Sequence, residues 1–183
     1  MDAVTSTAWW YITAAAIEPT RLTQLNRHTG DGPGDSIGDC FRTCIACLLG
    51  FDRPDLVPHF TMQSIVAAGH AGGGDLAADV TLARKWLRAT KGLGLAPVER
   101  DWAAQSGVPY KVTVRSKGGP WNHSVIAQHG EVIWCPTTGT GGYTLDDAIP
   151  ETLPLVLCAP YQPGPDLALT YWRNWDRFVA GRQ

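Results

Sequence analysis

Charged residues are scarce in this sequence. They occupy 17% of its 183 positions, and no run of lysine or arginine is present. The formal net charge of −2 therefore offers no broad positive surface to the phosphates of nucleic acid or to an anionic membrane. We expect neither partner. The hydrophobic fraction of 44% is that of an ordinary globular protein.

A hydrophobic segment long enough to cross a membrane is also missing. The N-terminal apolar run AWWYITAAAI (Ala8 to Ile17) is too short to span a bilayer. It has Asp2 ahead of it instead of a basic segment, so it does not resemble a signal peptide. The run predicts a strand or a packed extension, and the expected location is the cytoplasm.

The cysteines do not fit a disulfide framework. Their number, five, is odd, and Cys40, Cys44 and Cys47 follow one another at helical spacing, where the usual bridge would distort the helix. A reducing compartment fits this pattern better than an oxidising one. The spacing C-x3-C-x2-C is not that of a zinc ribbon, so no metal and no cofactor is expected. A metal site formed by the cluster together with His123 is the least favoured alternative.

The length predicts one domain over residues 1–183, with a core at about 19–160. Residues 1–18 are expected to form an extension and residues 166–181 a C-terminal helix. Hydrophobic periodicity predicts helices first and an antiparallel meander second, which is an α+β domain. One predicted helix begins at Cys40, and a second covers Thr61–Ala68. A third extends from a cap at Asp79 to Gly92, and a fourth covers Val98–Gln105. The predicted strands are Tyr110–Arg115, Asn122–Gln128, Glu131–Pro136 and Leu153–Ala159.

The stretch GDCFRTCIACLLG, Gly38 to Gly50, carries the first candidate site residue. Asp39 is a good N-cap, because its carboxylate can accept the free amides of the first turn. Cys40 then occupies the helix start, where the dipole favours a thiolate and hence a nucleophile. The alternative is that these cysteines are small apolar residues of a helix face, and we prefer it for Cys44 and Cys47.

A thiol nucleophile needs a base, and His123 is the histidine that lies inside a predicted strand. Strand alternation places His123, Val125 and Ala127 on one face, so the ring can be held at a fixed angle. A single histidine in a strand is by itself most simply a half-buried structural residue. In combination with Cys40 earlier in the chain, the catalytic interpretation is the better one.

Four segments in this order resemble the papain-like cysteine peptidase superfamily, and above all small phage-encoded papain-like proteins. They are Gln24, the segment GDCFRTCIACLLG, the turn VPHF (Val57 to Phe60) and the strand region HSVIAQHGEVIWCP. The likeness covers about Pro19 to Tyr143. It implies a papain-like α+β fold in which an N-terminal nucleophile helix packs on an antiparallel sheet.

The resemblance also implies an activity. Cys40 would be the nucleophile, His123 the general base, and Gln24 would bind the oxyanion together with the Cys40 backbone amide. The implied enzyme is a thiol hydrolase that cleaves an amide or isopeptide bond in a peptide or protein substrate. If the chain is phage-encoded, the host cytoplasm is the implied location.

The third catalytic member departs from the pattern. The similar proteins carry Asp-Pro where this chain has Cys135-Pro136, and a thiol does not stabilise an imidazolium as a carboxylate does. The site would then be a Cys-His dyad, or another residue would orient His123, or the chain is a catalytically degenerate module that binds a protein partner. Candidates for the substitute partner are Asn122, Thr137 and Asp101.

The hairpin register bears on Cys135. A two-residue turn at His129-Gly130 pairs His123 with Pro136. A slip of one residue would move Cys135 to the other face of the sheet.

Overall fold

The computed structural model describes residues 9–11, 18–30, 36–68 and 75–160 of the chain. The helices are α1 (Cys40–Leu48), α2 (Phe60–Ala68), α3 (Leu76–Lys91) and α4 (Arg100–Ser106), with short 3₁₀ turns at Pro54–Leu56 and Leu145–Asp147. The strands are β1 (Trp9–Tyr11), β2 (Gly94–Pro97), β3 (Tyr110–Arg115), β4 (Asn122–Gln128), β5 (Glu131–Trp134) and β6 (Leu155–Pro160). The C-terminal helix predicted at 166–181 lies outside the described residues.

The described strands form one six-stranded sheet in which every pairing is antiparallel. Strands β3, β4 and β5 make the predicted meander, and β6 pairs with β1, β2 and β3. The short strand β1 falls within the N-terminal apolar run, where a strand or packed extension was predicted. The fold is therefore mixed α+β with an antiparallel sheet, which confirms the predicted class.

The sheet separates two hydrophobic clusters. The first cluster lies on the side of α1, α2 and α3 and includes Ile45, Phe60 and Leu87 from these helices. The second cluster lies on the side of α4 and includes Ala103 together with Val112 and Val125. Strand residues divide between the clusters by alternation, as a sheet covered on both faces requires. The spacing of Phe41, Ile45 and Leu48 at i, i+4 and i+7 predicts an apolar stripe along α1, and all three side chains pack into the first cluster.

The β4–β5 hairpin turns tightly and then shifts register. His129 and Gly130 both have positive φ (51° and 78°), as a two-residue turn of this kind requires. Close to the turn Ala127 pairs with Val132, but Ile126 pairs with Trp134, so one extra residue is inserted in β5. The predicted pairing of His123 with Pro136 is therefore wrong. The shift places Cys135 in the second cluster, on the same side as Val125.

Two elements differ from the sequence prediction between the helices and the meander. Helix α3 begins at Leu76, and its cap is Asp75, whose carboxylate accepts a hydrogen bond from the Ala77 amide. The prediction that Asp79 caps this helix is wrong, because Asp79 lies inside it and is buried. Strand β2 was not predicted, because its sequence GLAP contains both glycine and proline and carries little strand propensity.

None of the helices in the described ranges is both long enough and apolar enough to cross a bilayer.

Candidate functional site

A cleft of about 670 Å³ opens at the end of β4, beside the loop that joins β3 to β4. Its lining includes Cys40 and Phe41 from the start of α1, and His123 and Ser124 from β4. The segment ahead of α1 contributes Gln24, and the loop after β5 contributes Thr137 and Tyr143. Three of the four predicted site residues, Cys40, His123 and Gln24, thus border one cavity. The fourth, Cys135, is fully buried behind it.

Asp39 positions the start of α1 in a way that the sequence did not predict. Its carboxylate makes no capping hydrogen bond to the first turn of the helix. Instead, Oδ1 accepts from the Asn26 amide at 3.0 Å, and Oδ2 accepts from Arg42 Nε and Nη2 at 2.9 and 2.7 Å. Since the Asp39 amide donates to the Asn26 carbonyl at 3.2 Å, the residue fastens the upstream loop to the helix start. The prediction of a capping carboxylate is corrected accordingly.

The electrostatics of Cys40 also differ from the prediction. Burial raises the pKa of the Cys40 thiol above its ordinary value of 9.0. The Ser124 backbone and hydroxyl and the positive charge of Lys111 lower this pKa, but they do not cancel the effect of burial. The expectation that the helix start favours a thiolate is therefore wrong for the protein without substrate, because desolvation outweighs the lowering effects of Ser124 and Lys111.

Lys111 is a fully buried lysine on the α1 side of β3. Its Nζ donates to Thr113 Oγ1 and lies 5.3 Å from the centroid of the Phe41 ring, a cation–π contact. Burial lowers the pKa of Lys111 to about 8, while nearby cysteines and Asp79 act in the opposite direction. At neutral pH this ammonium is the positive charge beneath the start of α1.

His123 is held through its Nε2 atom. This nitrogen lies 3.2 Å from Cys135 Sγ and 3.4 Å from Thr137 Oγ1, and the ring stacks at 5.3 Å against Tyr143. The second ring nitrogen, Nδ1, has no hydrogen-bond partner among the described residues. Burial, followed by the charge of Lys111, lowers the pKa of His123 to about 4, so the imidazole is neutral at pH 7.

A chain of polar contacts leads from His123 to Gln24. Thr137 Oγ1 donates to Gln24 Oε1 at 2.9 Å, so its proton is used and its lone pairs can accept from His123 Nε2–H. Gln24 Nε2 in turn donates to the Asn26 carbonyl at 2.8 Å, and the Gln24 amide donates to the Pro136 carbonyl at 3.0 Å. These contacts favour the tautomer with the proton on Nε2, which leaves Nδ1 as a base.

The sheet separates Cys40 from the ring of His123. Cys40 begins the helix that covers the first cluster, whereas Val125 belongs to the second cluster. Because alternate strand residues point to opposite faces, His123 leaves β4 on the side of Val125, away from α1. Ser124 leaves on the side of Cys40. Both Cys40 and His123 reach the cleft at the end of the strand, and no hydrogen bond joins them.

The three candidates for a substitute partner of His123 have different outcomes. Thr137 lies within contact distance of the imidazole. Asn122 is exposed at the first position of β4, opposite Arg115, and Asp101 is exposed on α4. Of the three, Thr137 is the residue that the structure brings to the ring.

Sequence reasoning missed Lys111 and Asp79 as buried charged residues near the cleft. Alternation within YKVTVR could have placed Lys111 on the same face as Thr113, but only tertiary packing puts that face against Phe41. The sequence predicted Asp79 as a helix cap, and a capping carboxylate is expected at the protein surface. Its burial was therefore not predicted. Within the residues that the structure describes, no group of three or more His, Cys, Asp or Glu side chains could hold a metal ion.

No protein-family model matches this chain, and no similar curated protein or solved structure was found. The resemblance to papain-like proteins therefore rests on the sequence motifs alone.

Proposed function

We propose that the protein is a thiol hydrolase of papain-like arrangement that cleaves an amide or isopeptide bond, with Cys40 as the nucleophile and His123 as the general base. The observation that carries this proposal is the shared cleft. A thiol at a helix start and an imidazole oriented through Nε2 border one cavity of about 670 Å³, which is large enough for a peptide segment.

The reaction proceeds through a covalent acyl-enzyme. The sulfur of Cys40 attacks the carbonyl carbon while its proton passes to His123 Nδ1, and the C–N bond breaks as that proton moves to the leaving amine. Water then attacks the thioester, gives a proton to the same nitrogen and releases the acid, and the thiol recovers its proton. The Cys40 backbone amide and the remaining Gln24 side-chain hydrogen are the proposed donors to the oxyanion.

The pKa directions favour a neutral pair over a preformed ion pair. The raised pKa of Cys40 keeps the thiol protonated at pH 7, and the lowered pKa of His123 keeps the imidazole unprotonated. Such a pair transfers the proton during attack, as a serine–histidine pair does. Hydrogen bonds in unliganded sites are often long and tighten when substrate binds, so the proposal requires His123 and Cys40 to approach each other in the complex.

The test is cleavage of a mixture of peptides and isopeptide-linked peptides in H₂¹⁸O, followed by mass spectrometry of the products. Hydrolysis places one solvent oxygen in each new carboxyl group, and the acyl-enzyme adds the mass of the acyl part to Cys40. We expect both signals in the wild type, with neither in Cys40→Ala and with loss of turnover in His123→Ala. Cys44→Ala, which removes a thiol from the same helix outside the cleft, is the matched control. Cleavage that persists in Cys40→Ala would overturn the proposal.

A second candidate function has an observation of its own. His123 leaves the sheet on the side away from α1, and the thiol pKa is raised instead of lowered. Both features favour a catalytically degenerate module that binds a protein or peptide in the same cleft. This module would show no ¹⁸O incorporation and no acyl adduct, and Cys40→Ala would bind a cleft ligand as tightly as the wild type does.

A further inference from the structure

Asp79 places a buried carboxylate in the wall of the cleft. The residue is 4% exposed, and it lines the cavity together with Thr61 and Leu76, on the same side as Cys40 and Phe41. Its two oxygens each accept one hydroxyl proton, Oδ2 from Thr61 and Oδ1 from Ser64, both at 2.6 Å. An ionised carboxylate has about four lone-pair sites, so these two hydroxyls leave accepting capacity on both oxygens.

No cation of the described chain neutralises this carboxylate. Asp79 forms no ion pair with a described lysine, arginine or histidine. Lys111 is near enough to be influenced by its charge, but Lys111 Nζ donates to Thr113 instead. His59 is also influenced, but burial lowers its pKa, so it is mainly neutral at pH 7. The start of α3 and the two hydroxyls stabilise the negative charge without cancelling it.

A buried charge without a partner is costly, and proteins normally pair it. Here the open side of the carboxylate is the cleft. We therefore infer that Asp79 and Thr61 form a subsite that binds a cationic group, a primary ammonium or a guanidinium, carried by the peptide that occupies the cleft. The apolar neighbours Phe41 and Leu76 suit the methylene stem of a lysine-type side chain.

This inference rests on the proposed function, because it takes the cleft to be the site of a peptide substrate. It adds that substrates carry a positive charge in the part that occupies the cleft. A hydrogen bond between an ammonium and a carboxylate is stronger than one between neutral groups, so a preference of about tenfold or more over a neutral side chain is expected.

The test measures binding without turnover. N-acetyl-lysine methylamide and its neutral isosteres, the norleucine and Nε-acetyl-lysine derivatives, are titrated by NMR into the full-length wild type. We expect the lysine probe to bind about tenfold or more tightly and to perturb the Asp79 and Thr61 signals. The preference should fall in Asp79→Asn and remain in Asp55→Asn, which removes the same charge at an exposed site. Equal binding of the three probes to the wild type would overturn the inference.

A second variant covers the case in which Asp79→Asn does not fold. Leu76 lies one helical turn before Asp79 and is partly exposed, so Leu76→Lys supplies a tethered ammonium to the same carboxylate. Loss of the lysine preference in Leu76→Lys is the expected result, and a preference that is unchanged in this variant refutes the subsite. Because these arms need no cleavage, their failure leaves the ¹⁸O test of the proposed function unaffected, and the reverse also holds.

Discussion

His123 and Cys135 form a buried pair in which the imidazole Nε2 lies 3.2 Å from the thiol Sγ. Cys135 is fully buried and belongs to the second cluster, so its sulfur packs against the ring from inside the protein. It occupies the position at which the resemblance to papain-like proteins predicts an acid. Thr137 is the polar partner of His123 that also lines the cleft. The effects of Thr137 and Cys135 on the imidazole can therefore be tested separately.

Thr137→Val keeps the shape of the side chain but removes the acceptor for His123 Nε2–H. We expect a mixture of imidazole tautomers in this variant, visible in the ring ¹⁵N shifts, and a fall in kcat/KM of up to about 100-fold, because a misplaced base costs rate. Cys135→Ala should leave the tautomer unchanged and lower the free energy of unfolding by about 1 kcal/mol. The role of Thr137 is contradicted if Cys135→Ala, and not Thr137→Val, changes the tautomer.

The pH dependence follows from the lowered pKa of His123. The base is unprotonated above a pKa of about 4, so kcat/KM should stay level at pH 5 and fall as the pH drops through 4. The ordinary value is 6.5, so between 6.5 and 4 the unfolded chain binds more protons at this residue than the native protein. Stability contributed by His123 is therefore lost as the pH falls across that window.

A titration of the His123 ring by NMR measures this pKa directly. His123→Asn, which removes the titrating ring, should flatten the stability curve between pH 6.5 and 4. A midpoint for His123 near the ordinary value of 6.5 would refute the prediction.

Lys111→Met tests the buried ammonium. Replacing a desolvated charge by an apolar side chain of similar length should leave stability unchanged or raise it by about 1–4 kcal/mol at pH 7. Lys111 has a pKa of about 8 in the folded protein and 10.5 in the unfolded chain, so the unfolded chain binds more protons between these values. Stability of the wild type should therefore rise relative to Lys111→Met as the pH increases from 8 to 10.5.

The same variant should slow the alkylation of Cys40. Lys111 lowers the pKa of that thiol, so its removal should move the pH profile of iodoacetamide labelling upward. Exposed Lys85→Met is the matched control and should change neither the profile nor the stability curve. An unaltered Cys40 profile in Lys111→Met would show that the ammonium does not act on the thiol.

Asp39→Ala should destabilise the protein by about 3 kcal/mol or more. The substitution leaves the partly buried Arg42 guanidinium without its carboxylate and the Asn26 amide without its acceptor. Asp39→Asn, which keeps one acceptor oxygen, should cost less. Asp55→Ala, at the exposed pair with Arg53, should cost under about 1 kcal/mol. Chemical denaturation measures all three, and equal losses for Asp39→Ala and Asp55→Ala would refute the structural role of Asp39.

Local patterns in the sequence were sufficient to predict most of the elements. The apolar stripe from Phe41 predicts α1, and the period of two predicts β3 and β4. Helix α3 ends at Gly92, as predicted, and the structure shows this glycine in the left-handed conformation. Each of these features depends on residues that are close to each other in the sequence. Strand β2 fails this condition, because its pairing with β6 comes from residues some 60 positions away.

The chemistry of the site was less accessible to sequence reasoning. The cap at Asp39 suggested an activated thiol, but desolvation of Cys40 depends on how β4 and β3 pack against α1. The side of the sheet that Cys135 takes depends on one inserted residue in β5, which periodicity does not reveal. Long-range packing decides both properties, and it left the nucleophile and the base of the predicted pair on different faces.

The inserted residue in β5 also determines which side chain after this strand meets the ring of His123. Deleting Ile133 would remove this insertion but leave Trp134 opposite Ile126, so Cys135 would keep its place beside the imidazole. Deleting a residue beyond the insertion, such as Trp134, would instead place Cys135 opposite Ile126 and turn its side chain toward α1, away from His123. Variation of strand length here, as much as of residue type, is a route by which such a site gains or loses an acid.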